Sequence, residues 1–127
     1  QADGGTRTAS ITGAWVALRI ACENLLLSGA ITKSPLTGQV AAISCGVFQG
    51  VSVLDLDYQE DSVAEVDANF VLASNAQLVE VQATGEAHPF SRSIFSEMID
   101  LASSGCEKIF QVQQQAVQNA LCAPDTQ

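Results

Sequence analysis

Between residues 40 and 85 the chain carries four β-rich runs, VAAISCGVF, VSVLDLDY, AEVDANFVLA and QLVEVQATG, in close succession. Strands that follow one another through short connections pair in opposite directions, because a parallel pair needs a crossover of a dozen or more residues. The spacing therefore predicts a four-stranded, largely antiparallel sheet. Gln49-Gly50 is a two-residue X-Gly loop of the kind that closes a hairpin, and Ser74-Asn75 turns the third run into the fourth. Along the third run Ala64, Val66, Ala68, Phe70 and Leu72 alternate onto one face, which marks the core side of the sheet.

Helical periodicity lies outside this block. Over residues 6–28, Ile11, Ala14, Trp15, Leu18, Cys22, Leu25 and Leu26 recur at three- and four-residue steps and form one apolar stripe. Ser28-Gly29 is a stop signal, and Gly13 inside the pattern points to close packing. Residues 31–39 read as a loop around Pro35 and Gly38. Pro89 and Ser91 open another helix with Ile94, Phe95, Met98, Ile99 and Ala102 on one face. Gly105 is expected to interrupt it, and a second helix follows with Ile109, Val112, Ala116 and Ala120 inward and the glutamines of QVQQQAVQ on its polar side. Segregated helices and strands make this an α+β fold: an N-terminal helix, the sheet and two C-terminal helices. One domain is expected over residues 1–122, with 123–127 a flexible tail.

Charge and cysteine usage narrow the function classes. The net charge of −9 argues against autonomous binding to nucleic acid, since affinity for phosphates comes mainly from Lys and Arg. If RNA is a partner, the cations come from elsewhere. Cys22, Cys45, Cys106 and Cys122 are widely spaced and His88 is the sole histidine, which argues against a zinc site. All four cysteines read as reduced thiols in a cytoplasmic protein, with Cys45 a small core residue. Arg19, Glu23 and Lys33 interrupt the apolar stretches, so no membrane span or membrane partner is expected. The chain begins at Gln1 without a methionine, which suggests a processed chain or a piece of a longer one. His88 beside Pro89 reads as a loop residue, and Arg92 as a partner for Glu86, a nearby carbonyl or an anion.

Two stretches could carry chemistry. In GGTRT, glycines allow backbone N–H groups to approach an anion, and a helix mouth offers unpaired N–H groups and partial positive charge. With Gly5, Thr6, Arg7 and the Thr8 hydroxyl this makes a phosphate cradle, or else a glycine loop with Thr6 as N-cap. In LDLDYQEDSVAEVD, Asp55, Asp57, Glu60, Asp61, Glu65 and Asp67 place six carboxylates in thirteen residues, with no Lys or Arg between Lys33 and Arg92. Strand alternation puts Asp55 and Asp57 on one face, and Asp61 lies past a bend from which it could fold back toward Asp55. Such hard oxygen ligands suit Mg²⁺ or Mn²⁺ with phosphate as co-ligand, or they form a solvated acidic edge that resists aggregation.

Four blocks together, QADGGTRTASITGAWVAL, KSPLTGQVAAISCGVFQG, LDLDYQEDSVAEVDANFVL and LVEVQATGEAHPFSR, resemble the ribonuclease PH family of bacterial phosphorolytic exoribonucleases, in the same order and over nearly the whole chain. The resemblance implies that Gly5, Thr6 and Arg7 bind inorganic phosphate at a helix N-terminus. It also implies that Asp55 and Asp61 are catalytic and associated with a divalent metal. It further implies trimming of the 3′ end of tRNA precursors, with release of nucleoside diphosphates, by a homo-hexameric ring built as a trimer of dimers. A non-catalytic scaffold subunit of an RNA-degrading ring is the alternative that the family offers. The match covers only the C-terminal half of the family's length. The other half, in the same or a companion chain, would bring a further lobe, a second phosphate-binding arginine and most RNA-contacting cations. The chain alone is then expected to be inactive and to expose part of its first helix's apolar stripe.

Overall fold

In the computed structural model of the chain, residues 4–122 are described, Asp61 by its backbone alone. The expected flexible tail at 123–127 lies outside them. The elements run α1 (Thr6–Leu27), β1 (Val40–Phe48), β2 (Val51–Leu54), α2 (Tyr58–Asp61), β3 (Val66–Ala73), β4 (Leu78–Gly85) and α3 (Arg92–Cys122). The strands form one sheet in the order β2-β1-β3-β4, and every pairing is antiparallel. At the β1–β2 hairpin Phe48 faces Val51, and Gln49 and Gly50 both take the left-handed conformation that a tight hairpin turn demands.

Alternation divides the sheet into two faces. Ile43, Cys45 and Val47 of β1 and Val66, Ala68, Phe70 and Leu72 of β3 point to one side, where Met98, Ala102 and Cys106 of α3 close over them. These residues are almost wholly shielded from water, and they constitute the core. Of the inward set expected for the third run, Val66, Ala68, Phe70 and Leu72 lie in this core, while Ala64 is buried just before β3 begins and outside it. Burial pushes the Cys45 thiol up to about 12 and the Cys106 thiol up to about 11, so both stay protonated and inert at neutral pH. All four cysteines are free, and Cys122 alone is exposed.

The two expected C-terminal helices are one helix of 31 residues. Gly105 does not break it. A Cβ at this position would lie 2.5 Å from Ile43 Cδ1 and 3.3 Å from Leu54 Cδ1, so the glycine lets α3 lie close against the sheet. The inward face beyond it also differs from the expected one. Val112 is exposed, whereas Gln113 and Val117 are buried.

Gln113 is buried because the edge of β1 needs it. β2 covers only Cys45–Phe48 of its neighbour, which leaves the first half of β1 with unpaired backbone groups on that side. The Thr12 hydroxyl of α1 fills part of the gap, accepting from Ala42 N–H at 3.1 Å and donating to Ala42 C=O at 3.3 Å. The Gln113 amide nitrogen donates to Val40 C=O at 2.9 Å and to Thr12 C=O at 3.0 Å, while its oxygen accepts from Gln39 at 2.9 Å. Trp15 donates its indole N–H to Gly38 C=O at 2.9 Å. A helix thus docks on a sheet edge through hydrogen bonds.

This explains why the apolar stripe of α1 is largely uncovered. Of the stripe's residues only Cys22 is buried, while Leu18 and Leu25 are 52% and 44% exposed and Leu27 beside them is 80% exposed, so the expected exposed apolar patch is present. By length and composition α1 also meets the requirement for a membrane span, a property the sequence reading did not give it. Gly13 lies on the open side, where a Cβ would meet nothing within 4 Å, so it does not mark the expected close packing.

The two helical glycines should respond oppositely to substitution. Gly13→Ala should raise stability by about 0.5–1 kcal/mol through helix propensity, and Gly105→Val should lower it by about 1–3 kcal/mol through overpacking, both read from urea unfolding. Gln113→Leu should cost about 2–4 kcal/mol, because it strands buried backbone carbonyls and the Gln39 amide. In thiol labelling of the folded chain at neutral pH, Cys122 should react well ahead of the other three.

Candidate functional site

The opening glycines lie against the loop that follows β2. Gly4 has φ +115°, and a Cβ there would sit 2.8 Å from Leu56 C=O. Gly5, the N-cap of α1, is left-handed at φ 59° and provides no side-chain cap. The alternative of Thr6 as N-cap is thereby overturned, since Thr6 is the first helical residue. The first turn also contains no acidic residue. Among the described residues no side chain caps its leading N–H groups, and the positive end of the helix lies behind them. Thr8 is buried and donates to Gly5 C=O at 2.9 Å, which fixes the turn.

Asp55 faces this helix mouth. Its N–H donates to Ser44 C=O at 2.8 Å, one rung beyond the end of β2. Its backbone then turns left-handed at φ 55°, a conformation that strains a residue with a Cβ. The turn ends the strand, so Asp55 and Asp57 do not alternate along it as expected. It also aims the carboxylate at α1: Asp55 Oδ1 lies 3.6 Å from where a Gly5 Cβ would be. Leu56 next to it is buried and anchors the loop. Gly5, Thr8, Asp55 and Lys108 share the wall of a cavity of about 500 Å³ between α1 and α3, whose remaining lining is largely apolar.

Asp57, Glu60 and Glu65 of the acidic cluster have local duties. Asp57 is the N-cap of α2, its carboxylate accepting from the N–H groups of Gln59 and Glu60 at 2.8 Å each. Glu60 returns the bond, accepting from Asp57 N–H at 3.1 Å, which completes a capping box. Glu65 accepts from Gly50 N–H at 3.0 Å and holds the hairpin turn. Asp61 closes α2, and its side chain lies outside the described residues. Among the described residues, no three His, Cys, Asp or Glu side chains gather as a metal cage. Among the described residues Asp55 is the carboxylate in the cavity lining, and a single carboxylate can serve a hard divalent ion where substrate phosphates complete the shell.

Arg7 extends toward β4. Its guanidinium does not line the cavity beside Asp55 but pairs with Glu80 and donates to Gln82 at 3.3 Å, both on β4. The structure thus brings Gly5 and Asp55 together and holds the Arg7 guanidinium against β4. His88 is exposed in a bend, as a loop residue should be. Two residues escaped the sequence reading: Lys108, which lines the cavity, and Ser44, which holds Asp55 through its carbonyl and whose own hydroxyl is buried without a partner among the described residues. No short-range pattern marks them. The Asp-x-x-Glu capping box at Asp57 was legible and would have removed two carboxylates from the candidate ligands.

Both the sequence and the fold have counterparts among known proteins. The family model described as the 3′ exoribonuclease family, domain 2, matches residues 38–105. The chain is 57% identical over 117 residues to Ribonuclease PH of Caulobacter vibrioides, covering 92% of this chain and 49% of that protein. It is 55% identical over 116 residues to Ribonuclease PH of a Synechococcus species, covering 91% and 47%. The chain therefore spans about half the length of the curated relatives it matches. Among solved structures it is similar to rice (Oryza sativa) Rrp46, with a TM-score of 0.70 and 21% identity over 92% of this chain and 50% of that one. It is also similar to a chain of the Archaeoglobus fulgidus exosome with RNA bound to the active site, with a TM-score of 0.53 and 15% identity over 61% and 30%. At these identities the structural likeness shows the fold alone. The family model covers more than half of the chain, and on that ground the chain belongs to the 3′ exoribonuclease family, whose domain 2 it carries.

Proposed function

We propose that this chain supplies the phosphate- and metal-facing part of a phosphorolytic exoribonuclease that shortens the 3′ end of tRNA precursors and releases nucleoside diphosphates. The observation that carries the reading is the uncapped first turn of α1 opening toward the Asp55 carboxylate across Gly5. A helix mouth without a side-chain cap suits an anion. A carboxylate a few ångströms away would repel that anion unless a cation lies between them. Phosphate and a divalent ion together satisfy both groups.

The roles follow from charge. The N–H groups of the first turn, with Gly5, Thr6 and Arg7, hold inorganic phosphate beside the terminal phosphodiester. A phosphate oxygen forms a bond to the terminal phosphorus as the bond from that phosphorus to the upstream 3′ oxygen breaks. The leaving oxygen takes up a proton, for which Asp61 is the donor in this reading. Asp55 and Asp61 would hold Mg²⁺ or Mn²⁺, which when bound supplies charge neutralisation at the reacting phosphates. With a net charge of −9, the chain needs cations from the other half of the family's length to hold RNA, so alone it is inactive. Its working form is a cytoplasmic hexameric ring, a trimer of dimers. The helix mouth, uncapped by any side chain among the described residues, favours this reading over that of a non-catalytic scaffold subunit, which would need neither such a mouth nor a strained Asp55.

In the assembled protein, comprising this chain and the other half of the family's length, Asp61→Asn should abolish phosphate-dependent shortening of a tRNA precursor while RNA binding survives. Nucleoside diphosphate release separates phosphorolysis from hydrolysis. Turnover retained by Asp61→Asn would remove the proton-donor role, and the absence of any phosphate-dependent product would favour the scaffold.

A further inference from the structure

Arg7 is tied to a strand that carries no other part of the site. Glu80 and Gln82 occupy alternate positions of β4, so both project to one face. In register, Glu80 stands opposite Val71 and Gln82 opposite Asn69, in rows that continue to Ala42 and Ser44 of β1. This is the face away from α3, because the core-facing residues are the intervening ones, Ile43, Phe70 and Val81. Arg7 thus reaches from the first turn of α1 to two acceptors on the sheet face opposite α3, 73 and 75 residues away in sequence.

The ion pair is half open to water, with side-chain exposures of 49% and 48%. Such a pair adds little to stability, so its consequence is geometric. An unrestrained arginine carries much rotamer freedom, and ordering it when an anion arrives weakens binding. Here a carboxylate takes one terminal nitrogen and a carboxamide takes the other, which fixes the plane of the guanidinium. Its remaining N–H donors stay available.

We infer that Glu80 and Gln82 are positioning residues that pre-orient Arg7 for inorganic phosphate. The inference rests on the phosphate-binding role of Arg7 given above. Neither residue need touch phosphate itself; both act through the guanidinium.

The test is the phosphate dependence of RNA shortening by the assembled protein, with saturating RNA and with thermal melting to verify folding. Glu80→Ala and Gln82→Ala should each raise KM for phosphate about fivefold with little change in kcat or in KM for RNA. Glu80→Gln keeps an acceptor oxygen and should recover part of the loss. In an Arg7→Ala background, Glu80→Ala should add nothing. If Arg7→Ala raises KM for phosphate while Glu80→Ala and Gln82→Ala leave it unchanged or lower it, the inference is overturned and the phosphate site stands. An added loss from Glu80→Ala in the Arg7→Ala background would also overturn it, because Glu80 would then act independently of Arg7. If Arg7→Ala itself leaves phosphate dependence unaltered, the role of Arg7 fails and the inference fails with it.

Discussion

The arrangement depends on how one strand edge is satisfied. β1 is longer than the strand that pairs with it, and backbone groups buried without partners are costly enough to decide where other elements go. Thr12 and Gln113 supply the missing partners at Ala42 and Val40, and in doing so they bind α1 and α3 to the same edge. The Gln113 amide also reaches Thr12 C=O, so the three elements meet at one buried carboxamide. A purely apolar contact would tolerate sliding of the helix along the sheet. Paired donors and acceptors do not, because a shift of even one residue leaves them unmade.

That fixed docking carries through to the functional end of the helix. Thr12 lies less than two turns from Gly5, so anchoring it sets the position of the helix mouth. Gly4 then fits against Leu56, and Asp55 comes to face the mouth from the neighbouring loop. The exposed stretch of α1 lies toward the other end, where Leu18, Leu25 and Leu27 face outward. One helix therefore presents two surfaces of different character, a polar mouth at the cavity and an apolar flank remote from it.

Much of the fold was legible because it is written in short-range periodicity. Alternation along β3 named its core face, and Gln49-Gly50 named the hairpin. What escaped depends on partners far away in sequence. Gln113 reads locally as one of several polar helix residues, yet its role is set by Thr12, 101 positions earlier. Gly105 reads as a breaker, since sequence alone does not reveal that Ile43 and Leu54 lie across from it. The site was legible in outline. Gly5 and Asp55 do come together, but the direction of Arg7 is decided by Glu80 and Gln82, which strand alternation alone shows only as outward-facing polar residues.

Asp55 is a residue that backbone energetics alone would not select. Its left-handed conformation would be adopted more readily by glycine, and a non-glycine residue held there costs about 1–3 kcal/mol. A chain optimised for stability would replace it. Stability and chemistry thus make opposite demands on a single position, and any search for hardier variants that is blind to activity will tend to erase the carboxylate first.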